Sequence, residues 1–207
     1  MFVFRFYKNL LQSNAVWIKR AAMWGALWLA IGFLTAIARP ELTEKLLEFL
    51  EKVYREILGE DLGISFSTVI EIFKNNVEVA LIGMFLGIIF GIVPFLSLAL
   101  NFFILGFLTG IFAFSHEGGQ LPSLALFLVA VLPHGIIEIP TLVVAAAFGM
   151  NLGWFWRTPA ENLTDWQKFS QAVVRNLQIA PLIITLLLAA AWIEVFVSGR
   201  LAESLAR

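Results

Sequence analysis

Long uncharged apolar runs alternate with short charge-bearing segments along this chain, and the run lengths set its class. Ala21 to Ala38, Val79 to Leu100, Phe102 to Phe114 and Ile179 to Val197 are the clearest runs. A helix that crosses a bilayer needs about 20 such residues. The stretch from Leu121 to Trp156 is too long for one ordinary span and too short for two, and Pro133, Gly135 and Pro140 interrupt it. A broken helix or a re-entrant segment is the expected solution, because non-helical backbone at membrane depth survives only where protein or a water cavity satisfies it.

Three polar segments have patterns of their own. In residues 41–58, Leu42, Leu46, Phe49, Leu50, Val53 and Ile57 recur at three- to four-residue spacing, the signature of an amphipathic helix. Glu41–Lys45, Glu48–Lys52 and Glu51–Arg55 are i,i+4 pairs in the favourable order. That apolar face is expected to cover the membrane, the bundle or a partner chain. Leu62-Gly63 is expected to end the segment. Thr68-x-x-Glu71 reads as a capping box opening the next helix. Residues 1–20, with Phe2, Phe4, Phe6, Tyr7, Leu10 and Leu11, read as an interfacial amphipathic segment. Pro94 and Asn101 suggest a turn between spans at 77–97 and 99–114, and Ser115 to Gln120, with His116, reads as a loop.

The pattern therefore predicts an all-α fold: a polytopic α-helical membrane bundle of about five spans, with broken or re-entrant helix segments and an amphipathic extramembrane helix at 41–58. It is one membrane domain over 1–207: an interfacial segment 1–20, a first span 21–38, extramembrane helices 41–76 and a core bundle 77–200. Composition agrees. Of 207 residues, 60% are hydrophobic and 14% charged, against about 25% charged in a soluble domain, so much of the surface must face lipid. Net charge is −1 with no basic tract, which argues against a nucleic-acid partner. The chain has no Cys, so disulfides and thiolate metal sites are excluded. Arg5, Lys8, Lys19 and Arg20 predict a cytoplasmic N-terminus, and Arg157, Lys168 and Arg175 place the later loop on the same side. The location this implies is the cell membrane, crossed several times.

The chemistry concentrates in Leu132-Pro133-His134-Gly135-Ile136-Ile137-Glu138. An imidazole and a carboxylate four residues apart share a helix face, and ionisable groups within a span are functional-site candidates. Asn76, Asn101 and Glu194 are the polar residues expected to join them. Three readings stay open: a structural lock between helices, a divalent-metal site with His134 and Glu138 as ligands, or a path for protons or a small solute at a broken helix. Metal needs more ligands than two, and the sequence does not say which groups converge. Gly83, Gly87 and Gly91, and Gly106 with Gly110, form small-residue faces that suit close helix packing, either within the chain or in a homodimer.

Taken in order, Asn75-Asn76, the glycine-rich span, Asn101, Gly106 and Gly110, Pro133-His134-Gly135-x-x-Glu138 and Ala145-Ala146-Ala147-Phe148-Gly149 resemble the stage II sporulation protein M family of integral membrane proteins, over roughly residues 65–200. The resemblance implies a membrane scaffold. The family's namesake associates with peptidoglycan-degrading proteins during engulfment of the forespore, yet the family also occurs in organisms that form no spores. No enzyme motif is present: there is no Gly-x-Ser-x-Gly, no P-loop and no His-Glu-x-x-His. The expectation is a non-enzymatic scaffold or membrane-organising homodimer in the lipid bilayer. Leu46, Phe49, Leu50, Val53 and Ile57 would offer a surface to other membrane or extracytoplasmic proteins. A transporter or channel-like protein is the alternative, and a metal-binding membrane protein the third reading.

Overall fold

The computed structural model describes residues 2–39, 41–58, 64–114, 124–157 and 162–205. Eight α-helices follow in chain order among them: α1 Phe2–Ser13, α2 Ala15–Ala38, α3 Glu41–Leu58, α4 Phe66–Phe85, α5 Ile92–Phe114, α6 Leu124–Gly153, α7 Asp165–Ile193 and α8 Gly199–Leu205. No strand occurs among the described residues, and the fold is an all-α, multi-pass membrane bundle. Four of its helical segments are long and apolar enough to cross a membrane: Ala15–Ala38, Ile92–Phe114, Phe127–Gly153 and Asp165–Leu201. Helix α4 also runs the length of the bundle but carries Glu71, Lys74 and Glu78.

The packing partners fix the directions. Trp24 stacks on Phe95, Gly25 abuts Phe102 and Gly110 abuts Ala36, so α2 and α5 run parallel. Val69 and Ile72 pack with Ala191 and Val195, while Ala80 and Met84 pack with Ile179, Ile183 and Leu187. That register makes α4 and α7 antiparallel. Phe148 joins the Ile179–Ile183 cluster while His134 meets Ser198 at the other end, so α6 and α7 are antiparallel too. Arg20 lies over Trp17 at 4.9 Å and Arg157 over Trp154 at 4.7 Å. The two tryptophans are 6.4 Å apart. Both basic segments thus share one end of the bundle, here called the basic end. The start of α4, the π turn Glu194–Ser198 and α8 lie at the distal end.

Several expected boundaries move. The first long helix begins at Ala15 rather than residue 21, set off from α1 at the buried Asn14. Helix α4 starts three residues before the expected capping box, because Ser65 is the N-cap and its hydroxyl accepts from the Thr68 amide. The uncharged run from Val79 to Leu100 is two helices. A 3₁₀ turn at Leu86–Ile88 leads into Phe90 and Gly91, at φ 52° and 70°, the left-handed region that favours glycine. Pro94 is then in the first turn of α5, where its missing N–H goes unmissed, and Asn101 lies inside that helix rather than at a turn. Helix α6 is one continuous 30-residue helix through Pro133 and Pro140, so the expected broken or re-entrant segment is not there. Spanning helices tolerate proline where neighbours and hydroxyl side chains take up the freed backbone groups. Pro140 leaves the Ile136 carbonyl without its helical donor, and next to it the Thr141 hydroxyl donates to the Ile137 carbonyl. Helix α7 begins at Asp165 behind a complete Thr164–Gln167 capping box, in residues that read as loop.

The glycine faces pack within the chain. A Cβ on Gly106 would collide with the Leu29 carbonyl, one on Gly87 with the Gly149 carbonyl, and one on Gly110 with Ala36. The chain nitrogen of Gly91 meets Gly153 in the same way. Gly83 differs: nothing lies within 4 Å of its Cβ position, and it borders a recess of about 20 Å³ shared with Ser97 and Asn101. On α3, Leu46 packs with Leu47 against Ala36, Phe107 and Ile111. It is thus a bundle contact rather than part of a free surface. Leu42 and Phe49 are exposed. The side chains of Leu50, Val53 and Ile57, the Leu62-Gly63 break and the 115–120 segment with His116 lie outside the described residues.

Candidate functional site

His134 is the eleventh residue of α6, about 15 Å along the helix from Leu124 at 1.5 Å per residue. One helical turn later Glu138 stands on the same face, and its Oε2 is 3.9 Å from His134 Nε2. Their side chains are 13% and 18% exposed. A separation of 3.9 Å is beyond hydrogen-bond reach. The other ring nitrogen is occupied: His134 Nδ1 is hydrogen-bonded to Ser198 Oγ at 3.2 Å. Ser198 is buried and belongs to the π turn that closes α7.

Glu194 completes the group. It opens the π turn and is half-buried. Donor atoms of His134, Glu138 and Glu194 all lie within 4.8 Å of one another. Among the described residues no Lys or Arg pairs with either carboxylate. The site therefore joins one imidazole and two carboxyl groups across two helices, with a serine holding the imidazole. Such a set can ligate a divalent cation or share a proton.

The two asparagines expected here are elsewhere. Asn101 is exposed on α5, and its amide donates to the Ser97 carbonyl at 2.8 Å. Asn76 is half-buried on α4. Sequence reasoning passed over Ser198, because a serine near the end of an apolar run carries no signal alone. It also passed over a second polar contact near the basic end: Asn151 Nδ2 donates to Asn14 Oδ1 at 2.8 Å, and both residues are buried. The available clue was an asparagine just before an apolar run and another between Gly149 and Gly153.

Comparison with known proteins places the chain in a family. The family model described as stage II sporulation protein M matches residues 21–199. An uncharacterized protein of Methanocaldococcus jannaschii is 27% identical over 134 residues, which cover 65% of this chain and 72% of that relative. A second uncharacterized protein of the same organism is 34% identical over 98 residues, 46% of this chain and 38% of the relative. No solved structure matches.

Proposed function

The chain belongs to the stage II sporulation protein M family, and from that premise we propose that it is a non-enzymatic membrane scaffold that works as a homodimer. The observation that carries this reading is the contrast between interior and periphery. The helices close on each other through glycine–backbone contacts and through fully buried Phe107, Phe148 and Met84. The periphery, by contrast, leaves Leu42 and Phe49 of α3 exposed outside the apolar helices, 40% and 58% accessible. The continuous α6 removes the broken helix on which the transport alternative rested. Leu42 and Phe49, seven residues apart on this amphipathic helix, leave an exposed apolar pair that suits a second copy of the same helix.

The test is the mass of the purified protein in detergent by light scattering. Wild type is expected as a dimer, with Phe49→Glu and Leu42→Glu shifted to monomer and still inserted in membranes. Leu46→Glu is unsuitable because Leu46 packs on the bundle. If both variants keep the wild-type mass, α3 is not the interface.

A further inference from the structure

We propose that His134, Glu138 and Glu194 bind one divalent transition-metal ion, of the zinc or manganese kind, which ties the middle of α6 to the distal end of α7. The proposal goes beyond the scaffold reading and stands independently of it.

Charge is the first argument. Two carboxyl groups and an imidazole converge within 4.8 Å between two apolar helices with no Lys or Arg partner among the described residues. Unpaired charges in such surroundings are costly. A divalent cation with two carboxylates and a neutral imidazole makes a group of zero net charge.

Geometry is the second argument. Zinc holds nitrogen and oxygen donors at about 2.0–2.2 Å, so two donors on one ion are separated by at most about 4.4 Å. The 3.9 Å from His134 Nε2 to Glu138 Oε2 fits that range and does not fit a hydrogen bond, and the 4.8 Å that bounds the whole group needs only a small side-chain shift to close on one ion. The third argument is the Ser198 contact. A ligating histidine ordinarily has its other ring nitrogen fixed by a hydrogen bond, which sets the tautomer and the ring orientation. Ser198 does this at Nδ1 and leaves Nε2 on the carboxylate side. Glu194 and Ser198 are the first and last residues of one π turn, and such turns recur at functional sites. Imidazole with carboxylates favours zinc, manganese or iron over calcium and magnesium, which prefer oxygen alone.

The experiment uses the full chain, tag removed, in lipid nanodiscs and stripped with a chelator. It is then titrated with Zn²⁺ and, separately, with Co²⁺. One Zn²⁺ per chain is expected by calorimetry and elemental analysis, together with a Co²⁺ visible spectrum typical of nitrogen and oxygen donors. His134→Ala and Glu194→Gln should each weaken Zn²⁺ binding at least tenfold, and Ser198→Ala by about tenfold through the ring orientation. Asn101→Ala should bind as wild type does. Zinc should raise the melting temperature of wild type and not that of Glu194→Gln. Wild type that takes up neither metal, or folded His134→Ala and Glu194→Gln that bind like wild type, would overturn the proposal. The Co²⁺ spectrum is read on wild type, so the result stands even where a variant does not fold.

Discussion

Asn14 and Asn151 show what a single polar contact does in an apolar bundle. Asn14 is 1% exposed and its Oδ1 accepts from Asn151, while its own Nδ2 has no partner among the described residues. Removing Asn151 would strand a second buried polar atom on a residue that already has one. Asn151→Ala is therefore expected to destabilise the fold by about 1 kcal/mol, the scale of interhelical hydrogen bonds measured in membrane proteins. Denaturant titration in mixed micelles measures it. An unchanged midpoint would mean that the contact contributes nothing. The residue scale is also where sequence reading fared unevenly. His134, Glu138 and Glu194 were legible because ionisable groups are rare in apolar runs. Asn14, Asn151 and Ser198 were not, since their role exists only in the pairing of helices far apart in sequence.

At the scale of elements, the glycines sort by what faces them. Gly87 and Gly83 are one helical turn apart, yet a methyl group on Gly87 meets backbone while one on Gly83 meets open space. Gly87→Ala should destabilise by about 1–3 kcal/mol, as overpacking does. Gly83→Ala should be neutral or stabilising by up to about 1 kcal/mol, from reduced freedom of the unfolded chain. Melting temperatures of the two variants, compared side by side, decide it, and equal losses would refute the distinction. The same scale explains the displaced boundaries. Hydrophobicity alone misplaces the reversal between α4 and α5, expected between spans at 77–97 and 99–114, because the true reversal at Phe90-Gly91 is built from apolar residues. It is held by the Trp154 Nε1 donation to the Phe90 carbonyl, a tertiary contact with no local trace. The run around Pro133 and Pro140 read as a break because proline lacks the helix-forming N–H. In the bundle those prolines sit within one helix. The class of fold was legible because runs of that length and composition have few other solutions.

For the whole molecule, the clustering of Arg20 and Arg157 at one end makes a topological prediction. Single cysteines introduced into this Cys-free chain at Lys8 and Gln167 should be labelled by an impermeant thiol reagent from one side. Cysteines at Lys52 and Ser204 should be labelled from the other. The basic side should be cytoplasmic by the bias of Lys and Arg in short loops. Labelling of Lys8 and Gln167 from opposite sides would contradict a bundle in which α4 crosses along with the four long apolar helices.

The parallel pairing of α2 with α5 also sets a clock. Phe33 must wait for Gly110, 77 residues downstream, before their contact can form. At synthesis rates of roughly 5–20 residues per second that delay is about 4–15 s. During that time α2 stands in the membrane with Gly25 and Gly32, which later meet Phe102 and the Phe103 carbonyl, still uncovered. A second nascent chain inserting nearby meets the same open face, so crowded translation favours exchange of α5 between copies, while sparse translation favours closure within one chain.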